Sequence, residues 1–273
     1  MTDIAGAKDY YASFHRREWE RLETGEGRLE FEITTSLLAE ALPGTGHVLD
    51  IGGGPGRYSQ WLRRSEYDVT LADLSPNLLE LARQHLGPGI ATEIVEADIR
   101  DLSRWPAGSF DATLALGPFY HLTDEADRHR ALREVMRVTV PGGPIAIALM
   151  SKYAFLRRTL AIPDERHRMG DTAFTAEVID HGIFHNEIPG RFTEGHGVDP
   201  ANAVADFEAA GLTTAVMAST HGFATGLESQ IDSMRLEDPA AYEETLRVLK
   251  TTAADPSLLG TAGHLLYIGL NPA

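Results

Sequence analysis

The run Val48-Leu-Asp-Ile-Gly-Gly-Gly-Pro-Gly56 constrains the chain more than any other segment: an apolar burst carrying one acid stops abruptly in glycines. An apolar burst of this length bounded by turn residues predicts a buried strand, His47 to Ile51. The stretch Tyr58 to Ser65 then has helical spacing, and Asp68-Val-Thr-Leu-Ala72 is a second apolar burst. A strand, a turn, a helix and a strand in this order imply parallel strands joined by a right-handed crossover. Glycine lets main chain approach a ligand with no Cβ in the way, and ligands of open α/β sheets lie beyond the carboxyl ends of the strands. The turn is therefore the expected ligand site.

The same rhythm continues for another hundred residues. Ser75 and Pro76 open a helix as N-cap and first helical residue, with Leu78, Leu79, Leu81, Ala82 and Leu86 on its apolar face. Ala91 to Val95 predicts a third strand and Phe110 to Leu116 a fourth. Asp124 to Val138 is an amphipathic helix, stopped by Pro141-Gly142-Gly143 before the strand Pro144 to Met150. From 152 to 198 the alternation breaks into short helical pieces with scattered Gly and Pro. It resumes with a helix Pro200 to Ala210 capped by Gly211, a strand Thr213 to Ser219, a helical excursion 226–254 and a last strand His264 to Leu270. The expected architecture is α/β: a doubly wound, mostly parallel seven-stranded sheet with a reversed last strand and helical lid insertions. Its divisions are an N-terminal helical lid (1–45), an α/β core (46–150), a lid insertion facing the substrate (151–198), and the rest of the core (199–273) with a helical insertion at 226–256.

Spacing decides which ligand the turn takes. A dinucleotide loop needs Gly-x-Gly-x-x-Gly; counted from Gly52 its third glycine falls on Arg57, and counted from Gly53 its second falls on Pro55. A phosphate-cradling P-loop needs Gly-Lys-Ser/Thr, which does not follow. The pattern present is Asp-x-Gly-x-Gly-x-Gly, on Asp50, Gly52, Gly54 and Gly56. An acid directly after the second strand, Asp73 followed by Leu74, stands where a carboxylate accepts both ribose hydroxyls of an adenosine. In these motifs the chain resembles the class I S-adenosylmethionine (SAM) dependent methyltransferases, which have a Rossmann-like fold. The resemblance covers residues 46 to 150 closely, and 200 to 220 and 264 to 270 more loosely. It implies SAM as cofactor, with Asp98 at the adenine amino group, Ile99 against the ring, and Leu116 and Gly117 along the methionine part. It also implies no metal, because the metal-dependent branch needs acids after the fourth strand and this chain has Gly-Pro-Phe-Tyr-His there.

In that family a methyl acceptor lies past the fourth strand, where His121 and Tyr120 are the candidates for orienting or deprotonating it, His121 also fitting a structural histidine bonded to a loop carbonyl. His196, just before the helix at Pro200, is a second candidate for the acceptor pocket. Tyr10, Tyr11, Phe14 and Trp19 place aromatics on an N-terminal helix able to close over the cofactor, Tyr11 being the candidate for contact with it. Arg28 and Phe31 on the next helix are candidates for facing the pocket. His181 and His185 stand four apart, but Gly182 between them weakens a shared helical face. Lys152, Arg157, Arg158, Arg166 and Arg168 form a basic cluster suited to a solvated helix face or to an anionic group of a substrate.

Composition narrows the partners. Across 273 residues, 24 Lys and Arg against 40 Asp and Glu give a net charge of −16, which disfavours nucleic acid and anionic membrane surfaces. With no cysteine, thiol chemistry and zinc-thiolate sites are excluded. No leader-like or membrane-length apolar run appears, so a cytoplasmic protein, monomer or homodimer, is expected. The expected reaction is methyl transfer to O or N, less readily C, of a small organic molecule, as in specialised metabolism. The alternatives are a SAM-binding protein of this fold that catalyses a cyclisation or rearrangement, an NAD-dependent oxidoreductase, and a non-enzymatic SAM-responsive scaffold.

Overall fold

Strand by strand, the apolar bursts pair into one sheet. The computed structural model describes residues 19–21, 23–87, 93–186, 188, 192 and 194–273. In chain order the strands are β1 (His47–Ile51), β2 (Asp68–Asp73), β3 (Glu93–Glu96), β4 (Ala112–Ala115), β5 (Pro144–Ser151), β6 (Ile183–His185), β7 (Glu194–Val198), β8 (Thr213–Ser219) and β9 (His264–Leu270). Seven of them form the expected core in the order β3-β2-β1-β4-β5-β9-β8. β1 pairs in parallel with β2 and β4, while β9 runs antiparallel between β5 and β8. β4 is shorter than its apolar run, with Phe110 making only an isolated bridge to Thr139.

Helices cover both faces because neighbouring residues of each strand point opposite ways. Leu49 and Ile51 join one core, whereas Val48 joins another on the opposite face. On Val48's side lie α1 (Gly25–Ala41), which buries Leu38 there, α2 (Arg57–Arg64) and α3 (Pro76–Leu86). α3 starts as expected: the Ser75 hydroxyl accepts from the Leu78 amide and Pro76 needs no donor at the first position. On the other face, α4 (Glu125–Val138), capped by Asp124, buries Ala131, Leu132, Val135 and Val138.

The segment after β5 departs from expectation. It begins with α5 (Lys152–Ala161) and a short α6 (Thr172–Ala176), but ends in two strands rather than helical pieces. β6 and β7 pair antiparallel, and β7 adds to the carboxyl end of β5 through Met150↔Gly197 and Ser151↔Val198. The sheet is thus widened from seven strands to nine. Gly182 makes the approach possible: its φ is +69°, and a Cβ there would lie 2.0 Å from the Gly197 carbonyl oxygen. α7 (Pro200–Ala209) returns the chain to β8, with Ala210 as C-cap and Gly211 one residue later than expected of a cap. The helical excursion is α8 (Glu228–Glu237) and α9 (Pro239–Thr252), whose Ile231, Tyr242, Leu246 and Leu249 pack on Leu29 and Ile33 of α1. Among the described residues no helix is long and apolar enough to cross a membrane.

Candidate active site

Parallel strands all end on one edge of the sheet, and the cleft there is lined by the β1 turn, the ends of β2 and β4 and the segment after β3. The turn is shaped from within. Gly52 has φ +73°, and a Cβ would sit 2.3 Å from Cγ of Pro118. A side chain at Gly53 would run into the Asp50 carboxylate, and one at Gly56 would touch Leu71 and Leu86. Three of the glycines therefore make room for protein rather than ligand, and Gly56 is not part of the cleft wall. A Cβ at Gly54 would meet only Cδ1 of Leu78, at an ordinary contact distance of 3.9 Å, and Gly54 is part of the cleft wall.

Two acids lie under and beside this turn. Asp73 is held by main chain: its Oδ2 accepts from the Gly54 amide at 2.9 Å and its Oδ1 from the Ser75 amide at 2.8 Å. Asp50 is buried, accepts from the Ser59 hydroxyl at 2.6 Å, and lines the cleft. Its Oδ1 has no hydrogen-bond partner among the described residues. Burial pushes the Asp50 carboxyl up to about 6, with the nearby charge of Asp73 adding and Ser59 opposing.

Leu74, Asp98, Ile99, Leu116 and Gly117 all reach the cleft wall. Asp98 is bound by Arg100, whose Nη2 stands 2.8 Å from Oδ2, and Arg100 is tied in turn to Asp127 on α4. Ile99 offers an apolar surface that is otherwise buried. Arg21 and Tyr58, which sequence reasoning missed, also line the cleft; Arg21 precedes every recognisable motif, so nothing in its surroundings marks it.

Beyond β4 a short 3-10 turn, Pro118–His121, presents Tyr120 and His121 to the cleft. Burial depresses His121 to about 4, against a hydrogen bond to the Glu194 main chain of β7 that pulls it up. The imidazole thus stays neutral, with one ring nitrogen donating to the Glu194 carbonyl. Phe192 packs over this corner, its ring 5.1 Å from His121.

Other candidates lie elsewhere. His196 is on β7, opposite Ile183, and is absent from the cleft wall; burial and Arg128 lower it to about 3. Arg28 pairs with Asp232, and Phe31 packs on Tyr58, so neither faces the cleft. Tyr10, Tyr11 and Phe14 lie outside the described residues, while Trp19 stacks on His85 and beneath the guanidinium of Arg57, itself a cleft residue. His181 ends a π-helical turn and His185 sits on β6, where it meets Glu194 at 3.4 Å, so they share no helical face. The basic cluster knits the insertion together: Arg158 pairs with Glu165, Arg168 donates to the His185 carbonyl, Arg166 to Leu160, and Arg157 to Thr225.

Comparisons with known proteins agree with this geometry. Residues 48–143 match the family model of a methyltransferase domain. The chain is 32% identical over 126 residues to the ubiquinone biosynthesis O-methyltransferase of Xanthomonas axonopodis pv. citri (strain 306), covering 46% of this chain and 49% of the relative. It is 36% identical over 138 residues to the glycine/sarcosine N-methyltransferase of Parasynechococcus marenigrum (strain WH8102), covering 50% and 49%. The chain thus spans about half the length of the curated relatives it matches. The fold matches that of a crystallised SAM-dependent methyltransferase from Methanosarcina mazei, with a TM-score of 0.59 and 18% identity over 86% of this chain and 97% of the other. Residues 48–143 accordingly form a methyltransferase domain of the class I SAM-dependent family, with S-adenosylmethionine as its cofactor.

Proposed function

We propose that the protein transfers a methyl group from SAM to an oxygen or nitrogen of a small organic acceptor. The observation that carries this reading is one continuous cleft running from the paired acids Asp50 and Asp73 to Tyr120 and His121. The donor fits the groups present. The Asp73 carboxylate, fixed by main chain at the end of β2, suits ribose hydroxyls, the buried Oδ1 of Asp50 suits a cationic amino group, Ile99 and Leu74 give apolar walls for a ring, and the bared main chain at Gly54 permits close approach. When bound, SAM supplies a methyl carbon already electrophilic on its sulfonium.

The protein's task is then to hold a nucleophile in line with that carbon and to keep water out. His121 is matched to the first part. Its acceptor nitrogen takes a hydrogen bond from an O–H or N–H and turns the acceptor's lone pair toward the donor. With a conjugate acid near 4 it is a weak base at neutral pH, so orientation outweighs proton removal. Phe192 and Tyr120 close the apolar side of the same corner. The names of the two relatives, one acting on O and one on N, are consistent with a hydrogen-bonding acceptor.

Two substitutions test the division of labour. Asp73→Ala should weaken S-adenosylhomocysteine binding by roughly 10- to 100-fold, the worth of hydrogen bonds to a charged group. His121→Ala should bind it nearly as wild type while turnover drops. Calorimetry reads the first, and mass spectrometry of an acceptor panel for one added methylene reads the second. Equal loss of donor affinity in both variants refutes the assignment. Retention of label on donor-derived product, rather than its appearance on an acceptor, would instead favour a rearrangement.

A further inference from the structure

Three side chains far apart in sequence meet where β8 ends and β9 begins. Glu30 comes from α1, His221 follows β8, and His264 is the first residue of β9; one donor atom from each lies within 4.8 Å of the other two. Glu30 and His221 are buried, and the His264 side chain is 19% exposed. Neighbouring groups orient all three. The Arg21 guanidinium lies 2.8 Å from Oε2 of Glu30, and Nδ1 of His264 lies 3.3 Å from the same oxygen, so the carboxylate is held between the two. Thr220 ties the two histidines: its amide donates to the His264 carbonyl at 3.1 Å and its hydroxyl donates to the same carbonyl at 3.2 Å. The same hydroxyl stands 3.2 Å from Nδ1 of His221. With Nδ1 turned to Thr220, His221 would present Nε2 to an ion.

We propose that Glu30, His221 and His264 bind a divalent transition-metal ion, zinc by the character of the donors. Two imidazoles and a carboxylate are a three-ligand set that leaves a fourth position open, and the chain has no thiol to compete for the ion. Arg21 and Thr220 are the partners that hold the ligands in place. The His264 ring is 5.9 Å from that of Tyr120, which lines the cleft, so an ion held here would lie near the acceptor end of the cleft. That last clause rests on the proposed methyl transfer; the binding of the ion does not.

The test uses the full chain, stripped with a chelator and titrated with zinc chloride by calorimetry, then with cobalt(II) chloride, whose visible bands report four-coordinate geometry. One ion per chain is expected, with binding weakened at least tenfold in His221→Gln, His264→Ala and Glu30→Gln. Far-UV circular dichroism and S-adenosylhomocysteine titration check the fold of each variant. A wild-type protein that takes up no zinc, or one whose uptake is unchanged in all three variants, overturns the proposal, the latter assigning the ion to exposed histidines such as His185. Should the variants unfold, a wild-type cobalt spectrum of octahedral type refutes the site and one of four-coordinate type supports it. Loss of S-adenosylhomocysteine binding by the wild type would sink the functional reading and leave the zinc titration standing.

Discussion

Asp50 lies beneath the glycine turn with its carboxyl raised, chiefly by burial, from 3.8 to about 6. Between those values the folded chain holds a proton that the unfolded chain has released, so the ligand-free protein loses stability as pH rises through this window. Binding works the other way. If a cationic amino group docks on Oδ1, the carboxylate form is the one that binds, and affinity climbs as Asp50 ionises. We expect S-adenosylhomocysteine to bind about tenfold more tightly at pH 7 than at pH 5, and Asp50→Asn to flatten that slope. Calorimetry in buffers of different ionisation enthalpy would register the released proton; a wild-type profile as flat as the variant's refutes the role. At this scale part of the cleft wall was legible because its residues repeat at strand-end intervals: Asp50, Gly52, Gly54, Asp73, Asp98, Ile99 and Gly117 all reach the cleft. Glu30, His221 and His264 were not, since an antiparallel last strand brings together positions that no local pattern connects.

Among elements, the strands of the core were readable from their apolar runs, while β6 and β7 were not. The sequence Glu194-Gly-His-Gly-Val198 inverts the usual alternation: its buried positions are Gly195 and Gly197. A Cβ at Gly195 would meet the Phe192 and Phe155 rings, and one at Gly197 would lie 2.6 Å from the Lys152 backbone. The apolar filling comes from neighbours, so hydrophobic periodicity is silent. Gly182 is the pivot of the hairpin. Replacing it with alanine combines a strained φ with a collision against Gly197, a cost of roughly 1–3 kcal/mol or more. We expect Gly182→Ala to lower the melting temperature and to abolish turnover by displacing Glu194 from His121, with S-adenosylhomocysteine affinity within about threefold of wild type. Donor binding lost in proportion to turnover would show that the hairpin supports the whole cleft.

For the molecule as a whole, donor and fold should be thermodynamically linked. A ligand that binds only the native state at 100 times its dissociation constant stabilises it by about 2.7 kcal/mol, a shift of several degrees in a melting scan. That shift should appear with S-adenosylhomocysteine, vanish in Asp73→Ala at the same concentration, and be absent with NADH. A stabilisation by NADH alone would return the oxidoreductase reading to the front. The acidic surface, by contrast, was visible from composition, but composition does not say which face meets a partner.

The insertion touches the sheet's ladder at only two register pairs, both at the tip of β5. The proposed donor grip lies at the ends of β1, β2 and β4; the proposed acceptor wall joins the core through those two pairs, the hydrogen bond between His121 and Glu194 and side-chain contacts such as Arg157 on Thr225. Such a division makes residues 152–198 a replaceable cassette: grafting the equivalent stretch of a relative should change which molecules are modified while leaving the nucleoside grip intact, and a lineage changing its chemistry would need to rewrite less than a fifth of the chain.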